Sequence, residues 1–365
     1  MFQLYIVKVY TKHGMELTYC PVCTGRMHLS EAAKFGRINR HLKGLQETGM
    51  KLRMAFVMDP VGTINTEKDT TYVLMLEAQA RGHEVYYLEL KDLYVKNARA
   101  FGNASRISLK RGRDYYKLGD RETVGMDAFD AVWMRKDPPF NQDYIYATYI
   151  LSLIDQSKTK VINDPRRIRE SNEKLYTLYF PEWIPASIVT KDIEQLLKFL
   201  IEEGGEIVVK PLDGHGGEGV FYVREGDKNT NVILETITNF GRQYVLGQRF
   251  IKEVSVGDKR IILLNGEPLG AVLRVPKPGG EFRCNFHSGG SPAKSDLTER
   301  DIKICEALSA RLRKDGLYFV GIDVIGGYIT EINTTSPTGI QEINRLNGVK
   351  LEADVIDFVE GLCSH

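Results

Sequence analysis

The chain has almost no net charge: 49 Lys and Arg stand against 48 Asp and Glu in 365 residues. Without a net positive field there is no source for sequence-independent attraction to a polyanion, so nucleic acid is not the expected partner. No run of about 18 apolar residues occurs, which removes the signal for a membrane-spanning helix. The N-terminus also lacks the apolar core and small-residue cleavage site of a secretory signal. Cysteine is scarce, and its five positions (Cys20, Cys23, Cys284, Cys305, Cys363) are odd in number and without framework spacing. That usage suits a reducing compartment, and a cytoplasmic protein with no membrane partner is expected. Internal repeats and low-complexity tracts are absent too. What is present, 42% hydrophobic and 27% charged residues, is the composition of a soluble globular chain long enough for two or three domains.

Residues 1–49 stand apart, with seven Lys or Arg against three acidic residues and three of the seven histidines. They are read as an appendage. From Met50 a regular alternation begins: KLRMAFVMDP as a buried strand, TTYVLMLEAQARGHE as a helix stopped at Gly82, and VYYLEL as a second strand. AVWMRKDPP, a helical YIYATYILSLIDQ and TKVIND continue it, predicting a doubly wound, mostly parallel α/β domain over 50–170. Asp164-Pro165 opens a predicted helix through RRIRESNEKLYTLYF, and KDIEQLLKFLIEEGG predicts another. After Gly205 the period changes to two, which predicts antiparallel strands, one pair joined at Asn265-Gly266. The second half is therefore expected to be α+β.

The stretch VVKPLDGHGGEGVFYV (208–223) packs four glycines into six positions directly after Lys210. Gly214, Gly216 and Gly219 satisfy GxGxxG by letter, but a dinucleotide fingerprint must open a helix, and VFYV continues as a strand. A Walker A loop fails as well, because the lysine precedes the glycines. What remains is a strand, a glycine hairpin and a strand: a flap whose bare amides can fold over phosphates beside a strand-borne lysine. A plain mobile hairpin is the alternative. In GIDVIGGYITEINTTSP (321–337), Glu331 and Asn333 stand two apart in a strand and share a face. A two-residue turn at Gly326-Gly327 would pair Asp323 with Thr330, whereas a three-residue connection including Tyr328 would set Asp323 opposite Glu331. The second register is expected. Three oxygen ligands on one face suit Mg²⁺ shared with nucleotide phosphates, and a solvated polar face is the plainer reading.

A phosphate flap with its lysine, followed about a hundred residues later by an acid and an acid-x-Asn pair, resembles the ATP-grasp superfamily. MDPVGTIN (58–65), MRKDPPF (134–140), NEKLYT (172–177), VKPLDGHGG (209–217), GDKRIILLNGEP (257–268), GIDVIG (321–326) and TEINTTSPTGI (330–340) are similar, in the same order, to bacterial glutathione synthetase. That resemblance implies an ATP-grasp fold holding nucleotide between two antiparallel sheets, with subdomains at 171–250 and 251–363. It implies ATP-dependent joining of γ-glutamylcysteine and glycine through an acyl phosphate, with Mg²⁺ (or Mn²⁺ in its place), in a homotetramer.

By the same resemblance, Lys174, Lys210 and the amides of Gly214, Gly216 and Gly217 hold the ATP phosphates. Gln248, Arg249, Phe250 and Ile251 line the adenine, and Asp258 belongs to the nucleotide site. Asp323, Glu331 and Asn333 bind the metal. Arg135 and Asp137, at the crevice end of AVWMR, are assigned to the peptide substrate, with a loop ion pair as the alternative. Arg260 is expected to stabilise charge developing in the reaction, aided by Lys210 and Arg274, and Ser336 completes the substrate set. VPKPGGEFRCNFHSGGSP (275–292) has the size of an active-site lid. It departs from the family pattern at Phe282, Cys284, Phe286 and His287. In the appendage, Cys20 and Cys23 with His28 and His41 invite a zinc reading, but histidines thirteen apart do not fit a Cys₂His₂ site. Two other readings stay open: an ATP-grasp ligase for another carboxylate and amine, and a nucleotide-binding regulator without turnover.

Overall fold

The computed structural model describes residues 6–11, 14–19, 51–277, 284 and 290–364. The cysteines and histidines of the appendage, and Phe282, Phe286 and His287 of the lid, lie outside these. The chain divides into two compact units, Met1–Met50 and Lys51–His365. In the first, β1 (Ile6–Thr11) and β2 (Gly14–Tyr19) form an antiparallel hairpin. Among the described residues no helix is long and apolar enough to cross a membrane.

The second unit opens with β3 (Arg53–Val57), α1 (Thr70–Ala80) and β4 (Glu84–Leu88). Asp69 caps α1 by accepting from the Tyr72 amide, and Gly82 ends the run at φ 89°. β5 (Leu93–Lys96), β6 (Arg99–Leu109) and β7 (Tyr116–Gly125) follow, then β8 (Ala131–Met134), α2 (Gln142–Leu151) and β9 (Lys160–Ile162). β4, β3, β8 and β9 are parallel neighbours. Alternate residues of β3 enter different cores: Met54 and Phe56 pack with α1, Ala55 and Val57 with α2. This is the doubly wound expectation. The antiparallel extension β5-β6-β7 lay in a stretch whose sequence had suggested no element.

The helix expected from Asp164-Pro165 is short. α3 spans only Pro165–Glu170, and after a break Leu175–Tyr179 forms a 3-10 turn. The interruption has a cause: Asn172 turns its side chain into caps on the Lys174 and Leu175 amides and donates to Leu212 O at 2.9 Å. Local side-chain bonding here outcompetes helical periodicity.

Two antiparallel sheets make up the rest. β10 (Ser187–Thr190), β11 (Glu206–Pro211), β12 (Phe221–Arg224) and β13 (Val245–Arg249) form a four-stranded sheet in the order β10-β13-β11-β12. α4 (Ile193–Glu202) and α5 (Thr230–Ile237) pack on it through Leu196, Phe199, Leu234 and Ile237. β14 (Asp258–Leu264), β15 (Glu267–Val275), β16 (Ser291–Lys294), β17 (Phe319–Ile325) and β18 (Tyr328–Asn333) form a five-stranded sheet in the order β16-β15-β14-β17-β18. α6 (Glu299–Lys314) covers one face of it through Ile304, Leu308 and Leu312. β14 and β15 turn at Asn265-Gly266, both at positive φ (50° and 76°), as the sequence predicted. After α7 (Ile340–Asn347), α8 (Leu351–Cys363) returns to the first sheet, where Val355, Ile356 and Val359 join the core of α1.

Candidate active site

The five-stranded sheet carries its chemistry as one row of charges. Asp258 and Arg260, two apart in β14, share a face. Arg274 lies opposite Asp258 on β15, and Asp323 lies opposite Arg260 on β17. Glu331 follows opposite Asp323 on β18. The expected Asp323–Glu331 pairing is thus present, by a different route. Gly326-Gly327 is a two-residue turn, with Ile325 opposite Tyr328 and both glycines at positive φ (56° and 77°). Thr330 is then the extra residue of a β-bulge, which restores Asp323 to Glu331 one step later.

Within the row, Asp323 accepts from Arg260 Nε at 2.5 Å and Nη2 at 3.1 Å, and meets Arg274 Nη2 at 2.9 Å. Arg274 also bonds Asp258. Burial works against an ionised Asp323, but Arg260 and Arg274 outweigh it and hold the carboxyl well below the usual range. For Asp258 burial wins over Arg274, and its carboxyl is pushed up to about 6.

Facing this row is the glycine hairpin between β11 and β12, residues 212–220, at the position expected for the flap. Gly216, Gly217 and Gly219 take φ of 59°, 85° and 66°, values a side chain would strain. Lys174 Nζ donates to Gly214 O at 2.6 Å and lies 3.1 Å from Glu331 Oε1, joining flap to sheet. Lys210 Nζ donates to Gln248 Oε1 at 2.7 Å.

Between the two sheets lies a cleft open to solvent. Lys174, Lys210, Gly214, Gly217, Gln248, Arg249, Phe250, Ile251, Asp258, Asp323 and Glu331 all line it. Cys284 does so too, with Sγ 3.4 Å from Val254 O and its thiol pushed up to about 11 by burial. A second cleft adjoins it, lined by Gly216, Asp137, Arg260, Arg274, Asn333 and Ser336, and again by Asp323 and Glu331. The two clefts meet at the charged row.

Arg135 is the exception among the anticipated residues. It is buried beneath the second cleft and does not line it. Its Nε donates to Thr71 Oγ1 and its Nη2 to Pro337 O, both at 3.0 Å, while Ser336 Oγ donates to its carbonyl. In this placement it fastens the 336–337 segment to the first sheet.

Glu173 was missed. Its Oε1 accepts from the Thr334 and Thr335 amides and from Thr335 Oγ1, at 3.0, 3.2 and 2.8 Å. Burial, and after it the charge of Glu331, push this carboxyl up to about 6. The motif NEKLYT contains it, but the three donors lie about 160 residues away, so no local pattern signals them. Asn65, Lys68, Asp69 and Glu342, which also line the second cleft, were missed for the same reason.

The donor set at the junction fits a hard divalent cation: two carboxylates and an amide oxygen on one strand pair, beside a cleft able to supply phosphate oxygens. Glu331 is the freer carboxylate, since its side chain is 22% exposed and among the described residues its ion pair is with Lys174 alone, whereas Asp323 is gripped by two guanidinium groups.

Comparison with known proteins gives the family. The sequence profile of the prokaryotic glutathione synthetase N-terminal domain matches residues 52–169, and that of its ATP-grasp domain matches 173–348. The glutathione synthetase of Thermosynechococcus vestitus is 45% identical over 316 residues, spanning 84% of this chain and 99% of its own. That of Vibrio vulnificus is 43% identical over 313 residues, spanning 85% and 98%. Among solved structures, D-cycloserine synthetase DcsG superposes with a TM-score of 0.61 at 14% identity, over 85% of this chain and 99% of its own, a likeness of fold. On sequence and fold together, the chain belongs to the prokaryotic glutathione synthetase family of ATP-grasp ligases.

Proposed function

We propose that the two adjoining clefts divide the work of ATP-dependent glutathione synthesis, with ATP between the sheets and the peptide in the second cleft. The observation that carries this reading is the row Arg274–Asp258 and Arg260–Asp323–Glu331 at the junction, where a transferred phosphoryl group would lie. The cysteinyl carboxylate of γ-glutamylcysteine attacks the γ-phosphorus, the bond to the β-phosphate oxygen breaks, and ADP leaves. The amine of glycine then attacks the acyl phosphate carbon, loses a proton, and phosphate departs. No nucleophilic side chain is needed. Positioning and charge neutralisation carry phosphoryl transfer of this kind.

In this reading Lys174 and Lys210 meet the phosphates, the flap amides close over them, and Gln248 to Ile251 border the adenine. Arg260 and Arg274 neutralise charge on the transferred group and on the tetrahedral carbon. Asp323, Glu331 and Asn333 would hold Mg²⁺, which when bound spreads the negative charge of the β- and γ-phosphates. Asp137 and Ser336 border the peptide. ATP and a thiol dipeptide are substrates of a reducing, ATP-rich compartment, which supports a cytoplasmic enzyme, and the family resemblance supports a homotetramer. The test is incubation with ATP, Mg²⁺, γ-glutamylcysteine and glycine, reading ADP and glutathione together. ADP release only with other acceptors would favour a different carboxylate–amine ligase, and tight nucleotide binding without turnover on any pair would favour a regulator.

Two further outcomes are expected. Burial lowers the Lys210 ammonium to about 8, with Lys174 adding to the effect and Glu331 opposing it. Below that pH the group is charged and attracts phosphate; above it the unliganded enzyme loses the charge. The KM for ATP should therefore rise as pH climbs past about 8, by up to about tenfold per unit, and a flat profile to pH 9.5 would remove Lys210 from the phosphate site. Separately, deleting residues 1–49 should leave turnover unchanged, because Lys51–His365 is compact by itself and the matched profiles begin at residue 52. An insoluble or inactive product would show that the appendage is needed.

A further inference from the structure

Glu342 sits in the first turn of α7 with 3% of its surface exposed, yet it lines the second cleft. Among the described residues its Oε2 has no hydrogen-bond partner, and its ionic neighbour, Arg345, is 3.6 Å away on the other oxygen. That arginine is otherwise engaged, donating through Nη1 to Glu67 O at 2.7 Å. Arg260, the cation on the other side, is committed to Asp323 and to Thr338 O. A buried carboxylate oxygen left unmatched is costly, and such an atom at the wall of a substrate cleft marks a place where the ligand supplies the donor. Burial pushes this carboxyl up; its own amide, Arg345, Lys68 and Arg260 offset the push only in part.

The neighbourhood narrows the donor. α7 is fixed against the turn before α1, since Gln341 Nε2 donates to Thr66 O at 3.0 Å and Asp69 O at 2.6 Å. Glu342 therefore shares the second cleft with Lys68 and Asp69, and none of the three lines the first cleft. Opposite charges so placed suit a zwitterion, an ammonium against the acids and a carboxylate against the lysine. Glycine must present a neutral amine to the acyl carbon beside the charged row, so it is not the group held here. The far end of the dipeptide is a zwitterionic amino acid head.

We propose that Glu342 is a specificity residue that accepts the α-ammonium of the γ-glutamyl group, so that the enzyme selects a free amino acid head over a plain diacid. The inference rests on the reading of the second cleft as the peptide site. Its test compares γ-glutamylcysteine with N-glutarylcysteine, the same molecule without the ammonium, on the intact enzyme and on Glu342→Gln. The parent should prefer γ-glutamylcysteine in kcat/KM by about 10- to 100-fold, the range for a charge-assisted hydrogen bond. In Glu342→Gln that preference should collapse through KM for the dipeptide, while KM for ATP stays put and N-glutarylcysteine is used as well as by the parent. Glu342→Asp, with the charge one methylene short, should keep part of the preference. A general packing defect would weaken both peptides alike, so equal losses overturn the proposal, as does a Gln variant that keeps the parent's preference. A parent enzyme that does not turn over γ-glutamylcysteine at all overturns the function itself and the inference with it.

Discussion

Glu331→Gln should lower ADP release at least about 10²- to 10³-fold, the scale for removing one preorganised charge-stabilising group, and leave the fold intact. The two halves of that expectation have separate grounds. Glu331 is on the last strand of its sheet, its side chain is partly exposed, and its ionic partner is Lys174 at 3.1 Å. Glutamine keeps the volume and can still accept from that ammonium, and Lys174, only 6% exposed, also donates to Gly214 O, so the fold should survive with a loss of at most about 3 kcal/mol. Function is more exacting. Asp323 is already neutralised by two arginines, which leaves Glu331 as the carboxylate whose charge is most available to a divalent cation at the phosphates. Turnover measured against Mg²⁺ concentration should therefore shift to higher metal demand as well as fall, with the far-ultraviolet circular dichroism of the folded protein unchanged. Near-normal turnover at the parent's Mg²⁺ requirement would remove the metal assignment.

The reading of Glu331 and Asp323 illustrates what the sequence could and could not disclose. Strand periodicity placed Glu331 and Asn333 on one face, and paired glycines marked the turn, because both signals are local. The bulge at Thr330 that aligns Asp323 with Glu331 is not local: it depends on a register set by neighbouring strands, and the same letters permit either pairing. Likewise Lys210 with its glycines identified the flap, since a glycine run that fails to open a helix leaves few other uses. Glu173 and Glu342 gave no such hint. Each is an ordinary acid in its own segment and becomes informative only when Thr334 and Thr335, or the turn at Asn65 to Asp69, come beside it. The break at Asn172 belongs with these, because helical periodicity through NEKLYT was real but weaker than a cap reaching to Leu212. Arg135 shows the converse: its position at a strand end pointed to the crevice, and its side chain turned inward to Pro337.

Asp323→Asn should behave differently from Glu331→Gln, losing stability as well as turnover. Arg260 and Arg274 are 7% and 4% exposed, and the substitution would leave both guanidinium groups with Asp258 as the nearest remaining counter-charge in the row. Breaking a buried ion pair from one side costs about 3–5 kcal/mol, because the surviving charge stays desolvated and unmatched. Urea unfolding should show that loss at neutral pH. The pH dependence has a definite sign. The Asp323 carboxyl is held below its ordinary value, so its stabilisation is in place above the unfolded value of about 3.9 and fades only as pH falls below it. The gap between parent and variant should stay level from pH 7 to about 5 and narrow beneath about 4. Adding Arg260→Met to Asp323→Asn should recover part of the stability, since removing both members of a buried pair costs less than removing one, and should recover no turnover, since Arg260 is also the group proposed to meet the transferred phosphoryl. If Asp323→Asn unfolds at the parent's urea concentration, the charged row does not hold this sheet face together, and the two arginines must draw their compensation from somewhere other than Asp323.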